Sequence, residues 1–168
     1  MNTTTRGGIL IGVLCGIWTF VMGFTGWYKD PTLLYAFWLV IPIQIGILIW
    51  GLRKVASTGK QYGGLLVAGT LMSVIGGVIL IFSSLLFTTV VFPQYFDELR
   101  TLGEEMMKLE GKSEAEIAAA LEAAAQTNTP IMQALFGCIG TVVTGFLASL
   151  IIGAVVRKKT ASISQFVF

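Results

Sequence analysis

The chain has 168 residues, 55% of them hydrophobic and 12% charged, with a mean hydropathy of +0.82 and a formal net charge of +2. Soluble domains carry about a quarter charged residues, so a water-soluble globule is excluded, and the lack of a basic patch interleaved with aromatics argues against a nucleic-acid partner. The sequence contains no His, which removes the commonest general base and metal ligand.

The first apolar run predicts a span over 7–28. It is longer than the roughly 7–15-residue core of a cleaved signal peptide, and it ends in Gly26-Trp27-Tyr28-Lys29 with no small-residue cleavage site. It is therefore expected to stay attached, with Trp27 and Tyr28 at headgroup level. A turn at Lys29-Asp30-Pro31 leads into a second span over 32–52, closed by Trp50 and Arg53-Lys54. Pro42, near its middle, removes the amide that would bond the Trp38 carbonyl and predicts a kink. Gln44 is the only amide or charged side chain deep in any span. It is expected to bond the freed backbone or a neighbouring helix.

A short basic loop, Arg53 to Lys60, precedes a third span over 62–92. Its roughly 31 residues would rise about 46 Å against a hydrocarbon core of about 30 Å, which predicts tilt or projection past the membrane. The fourth span, 131–156, is opened by Thr129-Pro130 in the N-cap and N1 arrangement and is expected to stop at Arg157-Lys158-Lys159. The tail from Thr160 to Phe168 reads as frayed chain at the inner interface, with a docking peptide as the alternative.

Residues 93–130 interrupt this pattern and hold eight of the nine acidic residues. Tyr95, Phe96, Leu99, Leu102, Met106 and Leu109 recur at helical steps and predict one amphipathic helix, stopped at Gly111. Ser113 and Glu116 form a capping box for a second helix rich in alanine. The segment is thus predicted to be an acidic helical hairpin, running on from the projecting end of the third span. Lys and Arg cluster at the N-terminus, the second loop and the C-terminus, seven residues against four on the opposite side. Both termini are therefore expected in the cytoplasm and the hairpin outside.

Small residues form the most patterned feature of the spans. Gly8, Gly12, Gly16 and Gly23 in the first span share a stripe with Thr19 and Gly26 at an average step near 3.6. Gly137, Thr141, Gly145, Ser149 and Gly153 step by four in the last span, and the third carries Gly69, Ser73, Gly76 and Gly77. Such stripes are read as helix-packing faces. Cys15 and Cys138 are isolated and read as packing residues rather than redox or zinc ligands.

No catalytic set emerges. The spans lack any ionisable residue that could bind a coupling ion, and no His, acid or Lys stands by to activate the abundant hydroxyls. Glu104, Glu105, Glu110 and Glu114 lack the loop spacing of a calcium site and read as a solvated face. Gly63-Gly64 and Gly76-Gly77 belong to no phosphate-binding pattern.

Four stretches carry a resemblance: Pro93-Gln94-Tyr95-Phe96-Asp97, Gly111 to Ile117, Pro130 at the last span, and Ala148 to Ile152 leading to Arg157-Lys158-Lys159. With this layout the chain resembles a family of small bacterial inner-membrane proteins catalogued as a domain of unknown function. Relatives often carry a serine-aromatic-glycine start to the third span, where this chain has Lys60-Gln61-Tyr62-Gly63-Gly64. The resemblance implies fold, bacterial origin and location, and no activity.

The expectation is an all-α integral membrane protein, a four-transmembrane-helix bundle with an extramembrane hairpin between helices 3 and 4. It is expected to need no cofactor and to be non-enzymatic. Its partners are expected to be the lipid bilayer and other membrane proteins in a homo- or hetero-oligomer. The leading role is an accessory subunit or scaffold, and the alternative is a small oligomeric channel or carrier for a neutral or lipophilic substrate.

Overall fold

Asn2 starts the first helix: its side-chain oxygen accepts the Thr5 amide at 2.8 Å. Helix α1 (Thr3–Thr25) then runs to Gly26, whose φ of +71° turns the chain out of the helix. The computed structural model describes the backbone of residues 1–165 and the side chains of residues 1–157. Every regular element among the described residues is helical.

The second apolar run starts as a 3-10 helix, Leu33–Leu39, and becomes α-helical only in α2 (Val40–Ala56). Pro42 therefore sits in the first turn of α2, where its missing N–H costs no intrahelical bond. The Trp38 carbonyl is reached instead by the Val40 N–H. A change of helix type ahead of Pro42 thus places it at the start of α2 rather than in mid-helix.

Helix α3 (Tyr62–Leu86) passes into a single π-helical turn, Phe87–Val91, closed by the Phe92 amide on the Phe87 carbonyl at 2.8 Å. Phe92 leaves helical geometry and Pro93 follows, so α4 (Tyr95–Leu109) is a separate helix rather than an extension of the third span. Gly111, at φ +76°, turns the chain. Ser113 and Glu116 then close both halves of the capping box that begins α5 (Glu114–Thr127). Ile117 is the buried residue of α5.

Helix α6 (Pro130–Gln165) runs past Arg157-Lys158-Lys159, which was expected to stop it. Lys and Arg are good helix formers, and no Gly or Pro follows them before the helix end. The start of the tail is therefore helical backbone, while Phe166, Val167 and Phe168 lie outside the described residues.

Four helical stretches, Thr3–Thr25, Leu33–Ala56, Tyr62–Val91 and Pro130–Arg157, are long and apolar enough to cross a membrane. Together they make this a multi-pass membrane protein. Helix α3 packs most extensively on α6 and α1, and α2 bridges α1 and α6. Ile11, Leu48, Leu52, Leu65 and Met72 meet in the interior with no exposed surface. Phe82, Phe24 and Ile151 point outwards and are about 70% exposed, as apolar side chains in lipid can be without penalty.

Candidate functional site

Gln44 stands at the middle of the second apolar stretch and is 4% exposed. Its Nε2 donates to the Thr141 carbonyl of α6 at 2.7 Å and to Ser73 Oγ of α3 at 3.4 Å. A carbonyl partner fixes which end of the amide points there, since only the NH₂ can donate. Oε1 is left as the free end. It accepts no hydrogen bond among the described residues, and it is not sealed from accessible space.

Next to this amide lies a cavity of about 590 Å³. Helix α1 contributes Cys15, Thr19 and Met22, α3 contributes Leu80, Ser83 and Ser84, and the π-helical turn adds Phe87. The 3-10 segment adds Leu34, Phe37 and Trp38, while the α6 wall runs from Gln133 to Thr144, a rise of about 16 Å. Tyr28, Tyr95, Thr127 and Asn128 line its rim at the hairpin end. No charged residue lines it among the described residues. The Thr19 and Thr141 hydroxyls donate back to Cys15 and Gly137 carbonyls of their own helices, at 3.1 and 2.8 Å. Their donor capacity is therefore spent locally.

One flank of the cavity is loosely closed. The 3-10 segment rests on α1 and α2 and has no extensive contact with α6. Phe37 and Trp38 on one side of this gap, and Phe136, Gly137 and Gly140 on the other, are all exposed. Trp18 steadies the segment by donating its Nε1 proton to the Ala36 carbonyl at 3.0 Å.

The hairpin is fastened over the rim. The Tyr28 hydroxyl donates to Glu98 Oε2, and Lys29 Nζ lies 2.8 Å from Glu98 Oε1. Hydrogen bonds from Lys29 first and Tyr28 second hold the Glu98 carboxyl below its ordinary value. Burial and then the Glu98 bond push the Tyr28 phenol up. Burial also raises Tyr95, opposed by a hydrogen bond with Gln133. Phe87, Phe92, Tyr95 and Tyr28 form a ring cluster, with centroids 4.7 Å apart for Phe87–Phe92 and 5.1 Å for Tyr28–Tyr95. Such pairs add roughly 0.5–1.5 kcal/mol each beyond area burial.

The small residues divide by destination. Gly8, Gly12 and Gly16 face Ile75, Ile79 and Ser83 of α3 in a parallel register, and Gly23 faces Phe87 and Phe92. Gly69 meets Ser149, Gly145 meets Ser73, Gly77 meets Cys138, and Gly153 approaches Tyr62. These stripes are consumed within the chain. Gly137 is not: nothing stands within 4 Å of a Cβ built on it, and it lines the cavity. A strict four-residue step drifts about 40° per step, so Gly137 points about 160° away from Gly153. Cys15 is buried, with Sγ 3.7 Å from the Val40 carbonyl, and both cysteines are free. In the hairpin, Glu104 pairs with Lys108 at 2.7 Å and Glu110 with Lys112 at 3.0 Å, and Glu105 and Glu114 are exposed.

Sequence reasoning missed the cavity residues Trp38, Phe136 and Gly140 and the Tyr28–Glu98 link. One signal was present on α6, where Gly137, Gly140, Thr141 and Thr144 recur at helical spacing as a small, weakly polar face.

No curated protein and no solved structure matches the chain. A family model covers residues 6–158. With four apolar helices and nearly the whole chain matched, the protein belongs to the family described as Protein of unknown function (DUF4199).

Proposed function

We propose that the protein is a non-enzymatic membrane protein that binds and carries a neutral, lipophilic molecule. The uncharged, side-opening cavity is the observation that carries this reading. Its 590 Å³ falls within the about 300–1,000 Å³ of small-molecule sites, mostly apolar with a few placed polar groups. The absence of charge among its described walls favours a ligand without net charge, because an ion there would be desolvated without a partner. The distribution of Lys and Arg supports both termini in the cytoplasm and the hairpin outside, and the family resemblance implies a bacterial inner membrane. Delipidated protein in mild detergent should bind a neutral lipophilic probe saturably, and liposomes carrying it should exchange that probe faster than empty ones. Non-saturable partitioning together with unchanged exchange overturns the reading.

A second role, as an accessory subunit in a homo- or hetero-oligomer, is favoured by one observation. Leu109 and Met106, at the far end of α4, are 89% and 36% exposed. The glycine stripes are used internally, and the hairpin offers an exposed apolar end to a protein partner. Crosslinking in the membrane should then capture a partner that is lost when residues 94–129 are deleted and the four spans still insert. A partner retained by that deletion rules out the hairpin as its docking surface.

A further inference from the structure

We infer that the ligand is a single-chain lipid alcohol, which enters sideways through the gap between the 3-10 segment and α6 and donates its hydroxyl proton to Gln44 Oε1. The inference rests on the binding role proposed above and adds the chemistry of the ligand and its route.

Three observations converge on it. The first is polarity. Gln44 is nine-tenths buried, its NH₂ is committed to Thr141 and Ser73, and its oxygen faces accessible space with no donor among the described residues. An acceptor in that setting selects a ligand that brings a proton, because a ligand without one leaves a polar atom unpaired in a low-dielectric site. The second is charge. No Lys or Arg lines the cavity among the described residues, and Lys29 at the rim is already paired with Glu98. A carboxylate or phosphate would find no counter-charge, so the donor is a neutral hydroxyl.

The third is size and access. The cavity, about 590 Å³ and open on one flank, has the size of a small-molecule site. That suits one acyl or prenyl chain with a small head better than the two chains of a phospholipid. Trp38 and Gly140 flank the gap and are exposed, and Gly140 adjoins the exposed Phe136 and Ile139 of α6. A lipid entering there would reach Gln44 without crossing water.

The test uses the full chain in nanodiscs and a diazirine-bearing hexadecanol as photoprobe, with peptide mapping of the labelled site. Labelling should saturate and fall on the cavity-lining parts of Leu33–Leu39 or of Gln133–Thr144. Unlabelled hexadecanol should compete about three- to tenfold better than its methyl ether, the range expected for one net hydrogen bond. Gln44→Leu should erase that difference while keeping saturable labelling. Gly140→Trp, built into open space, should slow or abolish labelling without touching Gln44. If alcohol and ether compete equally in the natural chain, or if palmitate outcompetes both, the alcohol assignment is overturned while the carrier reading stands. If no probe labels saturably and Gly140→Trp changes nothing, both fail.

Discussion

The Tyr28 hydroxyl donates to the Glu98 carboxylate across 70 positions of the chain, joining the turn that follows α1 to the first turn of α4. Lys29 adds an ion pair to the same carboxylate. Bonds to charged acceptors contribute about 1.5–3 kcal/mol when sheltered, and this one is discounted because the Glu98 side chain is 31% exposed. Tyr28→Phe should therefore loosen α4 by about 1 kcal/mol. Hydrogen exchange of the α4 amides should quicken about fivefold, with α3 unchanged. Unaltered exchange would mean the ring cluster alone holds the hairpin.

The same link sets a pH response. The Glu98 carboxyl titrates below its ordinary 4.5 when folded, so its stabilisation is complete above 4.5 and disappears as pH falls through the lower folded value. Tyr28 is raised above its ordinary 10, so its stabilisation is complete below that pH and is lost on titration above it. The hairpin should stay attached from pH 5 to pH 9 and loosen outside that window. Spin-label distances between α1 and α4 at pH 7, 5.5 and 3.5 would check this, and loosening already at pH 5.5 would contradict it.

Gly12 and Gly137 should respond oppositely to the same added methyl. At Gly12 a Cβ would lie 2.5 Å from Ile79 Cβ and 3.0 Å from the Gly76 carbonyl, so α1 and α3 must part. Gly12→Ala should cost about 1–3 kcal/mol. At Gly137 nothing lies within 4 Å, and Gly137→Ala should be neutral or gain up to about 1 kcal/mol through helix propensity. Unfolding titrations in mixed micelles would rank the two variants, and equal losses would refute the assignment of faces.

Ser113→Ala should remove the capping box of α5 at a cost of about 1 kcal/mol. The side chain accepts the Glu116 amide at 3.4 Å and donates to Glu116 Oε2 at 2.7 Å. Faster exchange confined to the start of α5 is the expected result, and a loss spread through the long helices would contradict it.

Local features are the legible ones. The capping box at Ser113 and the stop at Gly111 depend on neighbours within a few residues, and the α1 glycines follow the helical repeat closely enough to name a face. Pro42 misleads because an apolar run looks alike whether its first turns are 3-10 or α, and the type sets whether a proline lies inside or at the start of a helix. Gly137 misleads because a step of four departs slowly from the true repeat. Gln44 is visible as an anomaly, but its partner on α6 is not, since pairing across helices depends on which helices are neighbours. The cavity is hidden for the same reason: its walls come from four long helices and a 3-10 segment, and no stretch of sequence contains it.

The π-helical turn at Phe87–Val91 makes chain length there a matter of direction. One residue is accommodated in that turn beyond what an α-helix would hold. Removing it, for instance by deleting Val90, lets α3 continue regularly but swings the chain from Phe92 onwards by about 100° about the helix axis. Phe92 would leave Gly23 and Phe87, and Glu98 would no longer arrive beside Tyr28. A single-codon deletion at this turn would thus uncouple the hairpin from α1, whereas a substitution at exposed Val90 would leave its heading unchanged.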